Sequence, residues 1–285
     1  MFKNILIPVS SEFYSKKIFE RGFFLAQKFK STIKIIYIIE EKTLHQTDKI
    51  SNSFRTHQHI EDTKKDIIGK QKLTADNIVF EDAKIIFKNN KISYEEKTIK
   101  GEFSTVIQNE INNNHYDLIL ISFEKGCTLN YRLLNNVNIP IWIEAECTGK
   151  SILGVCSNLA PNQKVPNFSI KLAETLKQPL QMLYIIDTQD NVQVDENGKR
   201  SDKKTDRNLT FIAQNFVEKI NKKNISIKLV KGNLEKETLK TAEKIGAGLV
   251  IIGREKKKRG ILGMPVRNVK RKIAEKCKYS VIFVN

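Results

Sequence analysis

Cysteine is scarce in this sequence and shows no pattern. The cysteines Cys127, Cys147, Cys156 and Cys277 are scattered along the chain, and no two of them form a CxxC pair. A disulfide framework or a zinc site therefore does not organise the fold, and we expect a reducing, cytoplasmic compartment.

Long hydrophobic runs and catalytic motifs are also missing. No apolar run approaches the roughly 20 residues of a membrane span, and the opening stretch, residues 1–9, predicts a strand rather than a signal peptide. His57 and His59 are two residues apart in a polar insertion, which does not favour a metal site. The sequence contains no G-x-S-x-G elbow, H-E-x-x-H or Walker loop. These absences favour a protein that is not an enzyme and holds no metal, with slow ATP hydrolysis as a weaker alternative.

Positive charge is abundant but unevenly distributed. Residues 1–145 carry 21 Lys/Arg and 18 Asp/Glu, or 21 − 18 = +3, whereas residues 146–285 carry 28 and 14, or 28 − 14 = +14. Within the second part, residues 254–278 hold 11 basic and 2 acidic residues, or 11 − 2 = +9. A dense patch of one sign attracts phosphates or polyanions.

Hydrophobic patterning alternates between strands and helices through the first half. Helical spacing of apolar residues predicts helices near 15–30, 60–71 and 103–111, the second of them inside a polar insertion over 40–91. The predicted strands are 5–9, 33–39, 92–99, 118–122 and 139–143. Buried strands separated by helices indicate a parallel sheet with helices on both faces.

The second half repeats this pattern. Ile152–Ser157 matches Ile5–Ser10 and Met182–Asp187 matches Ile35–Glu40, both at an offset of 147. Gly232 matches Gly101, and 248–253 matches 117–122, both at an offset of 131. The difference, 147 − 131 = 16 residues, is the extra length of the insertion in the first half. We interpret the chain as a tandem duplication, with domains at 1–145 and 150–285.

The repeat unit resembles the universal stress protein domain, and the whole chain resembles a tandem universal stress protein. The resemblance rests on the apolar run ending in Pro8-Val9, the Lys231-Gly232 step before a helix, the stretch Gly246–Gly253, and the final helix and strand. It implies two open, parallel five-stranded sheets flanked by helices, Rossmann-like and of the adenine nucleotide alpha hydrolase type. Each should have strand order 3-2-1-4-5. It also implies dimerisation through the last strand, here as an internal pseudo-dimer in which 139–143 and 280–284 pair or pack together, with a homodimer as an alternative.

Nucleotide-binding members of that family hold ATP against a loop of the form Gly-x2-Gly-x9-Gly-Ser/Thr. Here the loop is degenerate, because Lys256, Arg267 and Asn268 stand at the positions of the second glycine, the third glycine and the Ser/Thr. The acidic residue that follows the first strand in such members is Ser10 in repeat one and Ser157 in repeat two, and repeat one has lost the loop. The candidate binding residues in the second repeat are Ser157, Gly253, Lys256, Gly260, Gly263, Arg267 and Asn268.

Two functions remain open. The first is a stress-associated regulatory protein whose second domain binds ATP or another phosphorylated ligand weakly, at the N-terminus of a helix predicted to start near Val266. The second is nonspecific binding of nucleic acid or other polyanions through the basic segment, which lacks the interleaved aromatic residues of a single-strand platform. We interpret Asp187, Asp190, Asp195 and Glu196 as a solvated loop, and Trp142 as a residue of the core or of a domain interface.

Overall fold

Contacts divide the chain into two compact units, Met1–Leu133 and Leu134–Asn285. The computed structural model describes residues 1–10, 14–40, 57–122, 133, 137–145, 149–221, 226–255, 273 and 278–284. In the described residues no helix is both long and apolar enough to cross a membrane.

The first unit contains a parallel sheet of order β3-β2-β1-β4. Its strands are β1 (Asn4–Val9), β2 (Thr32–Glu40), β3 (Tyr94–Gly101) and β4 (Leu118–Ser122). The helices α1 (Lys16–Phe29) and α4 (Phe103–Asn113) lie between strands in the sequence. Residues on both sides of β1 and β4 are buried, as the continuous apolar runs predict.

The insertion between β2 and β3 is helical over its described part. Helix α2 (His57–Thr74) is followed by a π-helical segment (Ala75–Phe80), a short helix α3 (Glu81–Ala83) and a second π-helical segment (Lys84–Lys88). The side chains of Ala75, Val79, Ala83 and Phe87 are buried. The predicted helix near 60–71 is confirmed, and the structure extends it well beyond the range that sequence spacing predicts.

The second unit contains a sheet of order β5-β10-β9-β6-β7-β8. Its strands are β5 (Ile141–Glu144), β6 (Ser151–Ser157), β7 (Leu180–Asp187), β8 (Ile227–Gly232), β9 (Ala247–Gly253) and β10 (Ser280–Val284). Its helices are α5 (Val165–Leu176), α6 (Asp206–Asn221) and α7 (Leu234–Lys244). The five strands of the second repeat, read as β8-β7-β6-β9-β10, have the predicted order 3-2-1-4-5.

The two repeats use the same device to start the helix after the third strand. Strands β3 and β8 end at Gly101 and Gly232, and in each case the next residue caps the following helix. Glu102 accepts a hydrogen bond from the backbone N–H of Thr105 at 2.8 Å, and Asn233 accepts one from Lys236 at 3.0 Å. Because 233 − 102 = 131, the caps fall at the offset that sequence comparison gives for this part of the repeat.

Strands β5 and β10 pair antiparallel, which confirms the predicted pairing of these segments. The pairing aligns Trp142 with Ile282, and the Trp142 indole donates to Glu144 at 2.8 Å. The Ser280 hydroxyl donates to the same carboxylate at 3.0 Å, so a buried acid is satisfied by one residue from each strand. This pairing also explains why contacts assign β5 to the second unit. Trp142 is buried, in agreement with the first of its two predicted roles.

Strand β10 provides a test of the core of the second unit. Ile282 is fully buried between two neighbouring strands, whereas Ile78 in the insertion is 52% exposed. We expect Ile282→Ala to lower the free energy of unfolding by about 2–5 kcal/mol, because it removes buried methyl groups and leaves a cavity. The matched change Ile78→Ala should stay within about 0.5 kcal/mol. Urea denaturation of both variants checks this, and equal midpoints would contradict the assigned burial.

Candidate functional site

The candidate site lies where strands β6 and β9 of the second unit run side by side. The two strands are parallel, with Val155 opposite Ile252, so their carboxyl ends reach the same edge of the sheet. The chain order reverses here, because β7 lies beyond β6 and β10 lies beyond β9. In open α/β sheets, ligands bind at this edge beside such a reversal.

Gly253, the last residue of β9, is in close contact with the loop that follows β6. A Cβ atom at this position would lie 1.8 Å from the backbone oxygen of Pro161. Only glycine permits this approach of two backbones. Gly253 therefore has a structural role of its own, whether or not a ligand also uses it.

Ser157 is buried at the end of β6 and is engaged within its own turn. Its backbone N–H donates to the side-chain oxygen of Asn162 at 2.8 Å, and the Asn162 amide donates back to the Ser157 backbone oxygen at 2.9 Å. The Ser157 hydroxyl accepts from the backbone N–H of Leu159 at 3.2 Å. Ser157, which stands in place of an acidic residue, thus stabilises the turn that contacts Gly253.

Asn158 is the polar residue that organises this edge. Its side-chain oxygen accepts from the backbone N–H of Asp187, the last residue of β7, at 2.7 Å. Its amide nitrogen donates to the backbone oxygens of Asp190 and Val192, at 3.1 and 2.9 Å. Its backbone oxygen accepts from the N–H of Val194 at 2.7 Å. One buried residue therefore satisfies four backbone groups of β7 and the segment after it.

The interpretation of the acidic residues after β7 as a solvated loop is wrong for Asp187 and Asp190. Asp187 is fully buried and accepts from the backbone N–H groups of Gln189 at 2.8 Å and Leu234 at 2.7 Å. It thereby links the end of β7 to the first turn of α7, where a carboxylate is stabilised by unpaired N–H groups. Asp190 is ion-paired, whereas Asp195 and Glu196 are exposed as predicted.

Arg254 and Glu255, which follow Gly253, are buried rather than part of a basic surface. The Arg254 guanidinium donates to the backbone oxygens of Val137 and Ile139, the latter at 3.1 Å. Burial lowers the pKa of Arg254 to about 10, so the side chain remains charged at neutral pH.

Glu255 pairs with Arg200, which also contacts Asp190. The Arg200 Nε–H donates to the Glu255 carboxylate, and its Nη1–H donates to Asp190 at 2.6 Å. The Arg200 side chain is 22% exposed and that of Glu255 only 10% exposed. An ion pair this far from solvent is screened weakly by salt.

The structure places Ser157 and Gly253 at the same edge, and it describes no other member of the candidate set. Lys256, Gly260, Gly263, Arg267 and Asn268 lie outside the described residues, as does the predicted helix start near Val266. Sequence reasoning missed Asn158, Arg200 and Glu255. The available signal was an asparagine directly after an apolar strand, but no pattern links Arg200 to a residue 55 positions away. In the described part of the chain, no group of three or more His, Cys, Asp or Glu side chains could hold a metal ion.

Comparison with known proteins identifies the family. The model of the universal stress protein family matches residues 1–145 and again 150–285. The chain belongs to the universal stress protein family. Its fold is similar to that of a universal stress protein from Archaeoglobus fulgidus DSM 4304, with 14% identity, a TM-score of 0.63, and coverage of 99% of this chain and 97% of that chain.

A protein of unknown function from Pseudomonas aeruginosa PAO1 is similar to the same degree. It shows 14% identity and a TM-score of 0.62, and the match covers 99% of this chain and 92% of the other. At such identity the likeness concerns the fold. No curated protein matches the chain.

The close approach at Gly253 predicts an asymmetry between two glycine-to-alanine changes. We expect Gly253→Ala to lower the free energy of unfolding by about 1–3 kcal/mol, because the new methyl group overlaps the Pro161 backbone. Gly69→Ala, in helix α2 with nothing near its added Cβ, should raise the stability by about 0.5–1 kcal/mol. Thermal unfolding of both variants checks the opposite signs, and a neutral Gly253→Ala would contradict the packing described here.

Proposed function

We propose that this universal stress protein is a regulatory binding protein rather than an enzyme. In this proposal the second repeat binds a phosphorylated ligand, with ATP as the candidate. The observation that carries the proposal is that the most basic segment of the chain, residues 256–278, begins three residues beyond Gly253, the strand end at the order reversal. Phosphates bind at such strand ends when backbone N–H groups and cations converge there.

The charge that would attract this ligand does not depend on the two buried residues. Arg254 and Glu255 contribute one basic and one acidic residue to the 254–278 count. Without them, residues 256–278 hold 11 − 1 = 10 basic and 2 − 1 = 1 acidic residues, which is again +9. The +9 charge of residues 256–278 therefore does not depend on Arg254 or Glu255.

The expected affinity is modest. An anion at a helix N-terminus gains about 0.3–1 kcal/mol when exposed and up to about 2 when partly buried. A charge-assisted bond from Arg267 would add about 1.5–3 kcal/mol. After the cost of immobilising the ligand is subtracted, these contributions allow micromolar to millimolar binding.

Titration of ATP into glycine-loop variants tests the proposal. We expect Gly263→Val to weaken ATP binding about tenfold, equivalent to about 1.4 kcal/mol, because a side chain obstructs backbone approach. Arg267→Gly should strengthen binding, because it restores the family's residue and lets the backbone approach the phosphates. Gly69→Val, in the insertion helix of the other unit, is the matched control. If neither loop variant differs from wild type by calorimetry, ATP does not bind this loop. Analysis of small molecules released from denatured, freshly purified protein would identify a retained nucleotide.

A second candidate, nonspecific binding of duplex nucleic acid, is favoured by the +9 charge of residues 256–278. Neutralising phosphates with lysine and arginine requires neither base contacts nor aromatic stacking. The same segment would then act as a cationic surface rather than as a loop around one ligand.

Salt dependence separates the two candidates. Duplex DNA binding should weaken with a log–log slope of about −0.9 for each phosphate neutralised, because counterions are released. A nucleotide held by N–H groups and one or two cations should show a much shallower slope. Fluorescence anisotropy between about 50 and 200 mM salt measures both slopes. Absence of DNA binding at the lowest salt would remove the second candidate.

The association of repeats belongs to the same proposal. Strand β10 is paired on both sides, with β9 and β5 of the same chain, which supports an internal pseudo-dimer of the two repeats. A homodimer would then have to use another surface. A cytoplasmic location accords with the scattered cysteines.

A further inference from the structure

The segment Thr188–Thr205, which we term the strap, connects β7 to α6 and is folded as a unit. Val194 and Arg200 form an antiparallel bridge. Backbone hydrogen bonds within the strap join Ser201 N–H to Gln193 O at 2.8 Å and Gly198 N–H to Asp195 O at 3.0 Å. These bonds depend on no residue outside the strap, so it can keep its own structure if it moves.

Two of the contacts between the strap and the carboxyl edge of the second unit's sheet lie on opposite sides of the order reversal. The first is Asn158, which binds the backbone of Asp190, Val192 and Val194. The second is the ion pair from Arg200 in the strap to Glu255, two residues beyond Gly253. Because Asn158 follows β6 and Glu255 follows β9, the strap is fastened on both sides of the order reversal.

Arg200 already forms ion pairs with two carboxylates. Its guanidinium donates to Glu255 outside the strap and to Asp190 inside it. If the bond to Glu255 breaks, the guanidinium stays oriented by Asp190 and gains free N–H groups. A phosphate can replace the carboxylate in this contact, because guanidinium groups bind phosphate oxygens in the same bidentate geometry.

We propose that the strap covers the candidate site and is held closed by the Arg200–Glu255 ion pair, which we term the latch. When the strap moves away, Arg200 binds a phosphate of the ligand in place of Glu255. The proposal rests on the proposed function, since it assigns a phosphate-binding residue and an access step to the same site. Glu255 competes with the ligand for one guanidinium. A ligand without phosphate cannot replace Glu255 and gains nothing from Arg200.

Hydrogen exchange of backbone amides tests the latch without any ligand. The Val194 N–H donates to Asn158 outside the strap, whereas the Ser201 and Gly198 N–H groups donate within it. We expect Glu255→Gln and Arg200→Gln each to speed exchange at Val194 at least tenfold, with Ser201 and Gly198 unchanged. The control Glu81→Gln neutralises the partner of Lys84 in an exposed pair at 2.9 Å and should change none of these rates.

Two exchange results would overturn the latch. Unchanged exchange at Val194 in both variants would show that Arg200 and Glu255 do not hold the strap closed. Equal acceleration at Val194, Ser201 and at amides of the buried strand β9 would show general destabilisation in place of release. If Arg200→Gln does not fold, Glu255→Gln, which keeps the guanidinium and its Asp190 contact, answers the same question.

Ligand titration then tests the transfer of Arg200. With ATP and with inorganic tripolyphosphate, we expect Glu255→Gln to bind about tenfold more tightly than wild type and Arg200→Gln to bind more weakly than Glu255→Gln. Adenosine, which lacks phosphate, should not distinguish the variants. Equal ATP affinities in the two variants would overturn the transfer. If exchange shows selective release of the strap but neither phosphorylated compound binds any form of the protein, the proposed function fails, and the assigned access step fails with it. A failure of the latch, in contrast, is detected by the exchange rates alone.

Discussion

The polar groups at the carboxyl edge of the second unit depend on the side chain of Asn158. Parallel strands end with backbone N–H and C=O groups that their neighbours no longer pair, and these groups must find partners if they are buried. Asn158 supplies both a donor and an acceptor at the point where β6, β7 and the strap meet. The Asp187 carboxylate accepts a hydrogen bond from the backbone N–H of Leu234 at the start of α7. The edge beside the order reversal is thus built from buried amides and carboxylates of the chain itself.

The strands could be predicted because a buried strand corresponds to a continuous apolar run in the local sequence. β4 lies at residues 118–122 as predicted, and β10 covers the matched segment 280–284. The edge strand β3 was predicted near 92–99 but lies at Tyr94–Gly101, where several side chains are exposed and the hydrophobic pattern is weak. Strand order in the second repeat was expected from the repeat offsets and from the usual order of doubly wound sheets, since periodicity alone does not specify which strands are neighbours.

The contacts at the candidate site could not be predicted from local pattern. Arg254 stands at the head of a basic run, yet it is bound to the carbonyl groups of Val137 and Ile139 more than 100 residues earlier. Asp187 occurs among acidic residues that suggest a solvated loop, yet it is needed at a helix start that begins 47 residues later. In each case the partner is a backbone group, which carries no residue identity and leaves no pattern in the sequence.

A ligand that binds at this edge must replace contacts that the protein already makes with contacts of its own. A neutral hydrogen bond contributes about 0.5–1.5 kcal/mol net, and one to a charged group about 1.5–3. A neutral group that displaced Glu255 from Arg200 would therefore lose free energy and would leave a buried carboxylate without its partner. A phosphate offers charge and bidentate geometry at least equal to those of the carboxylate. In the function we propose, the existing ion pair therefore favours a phosphorylated ligand over a neutral one.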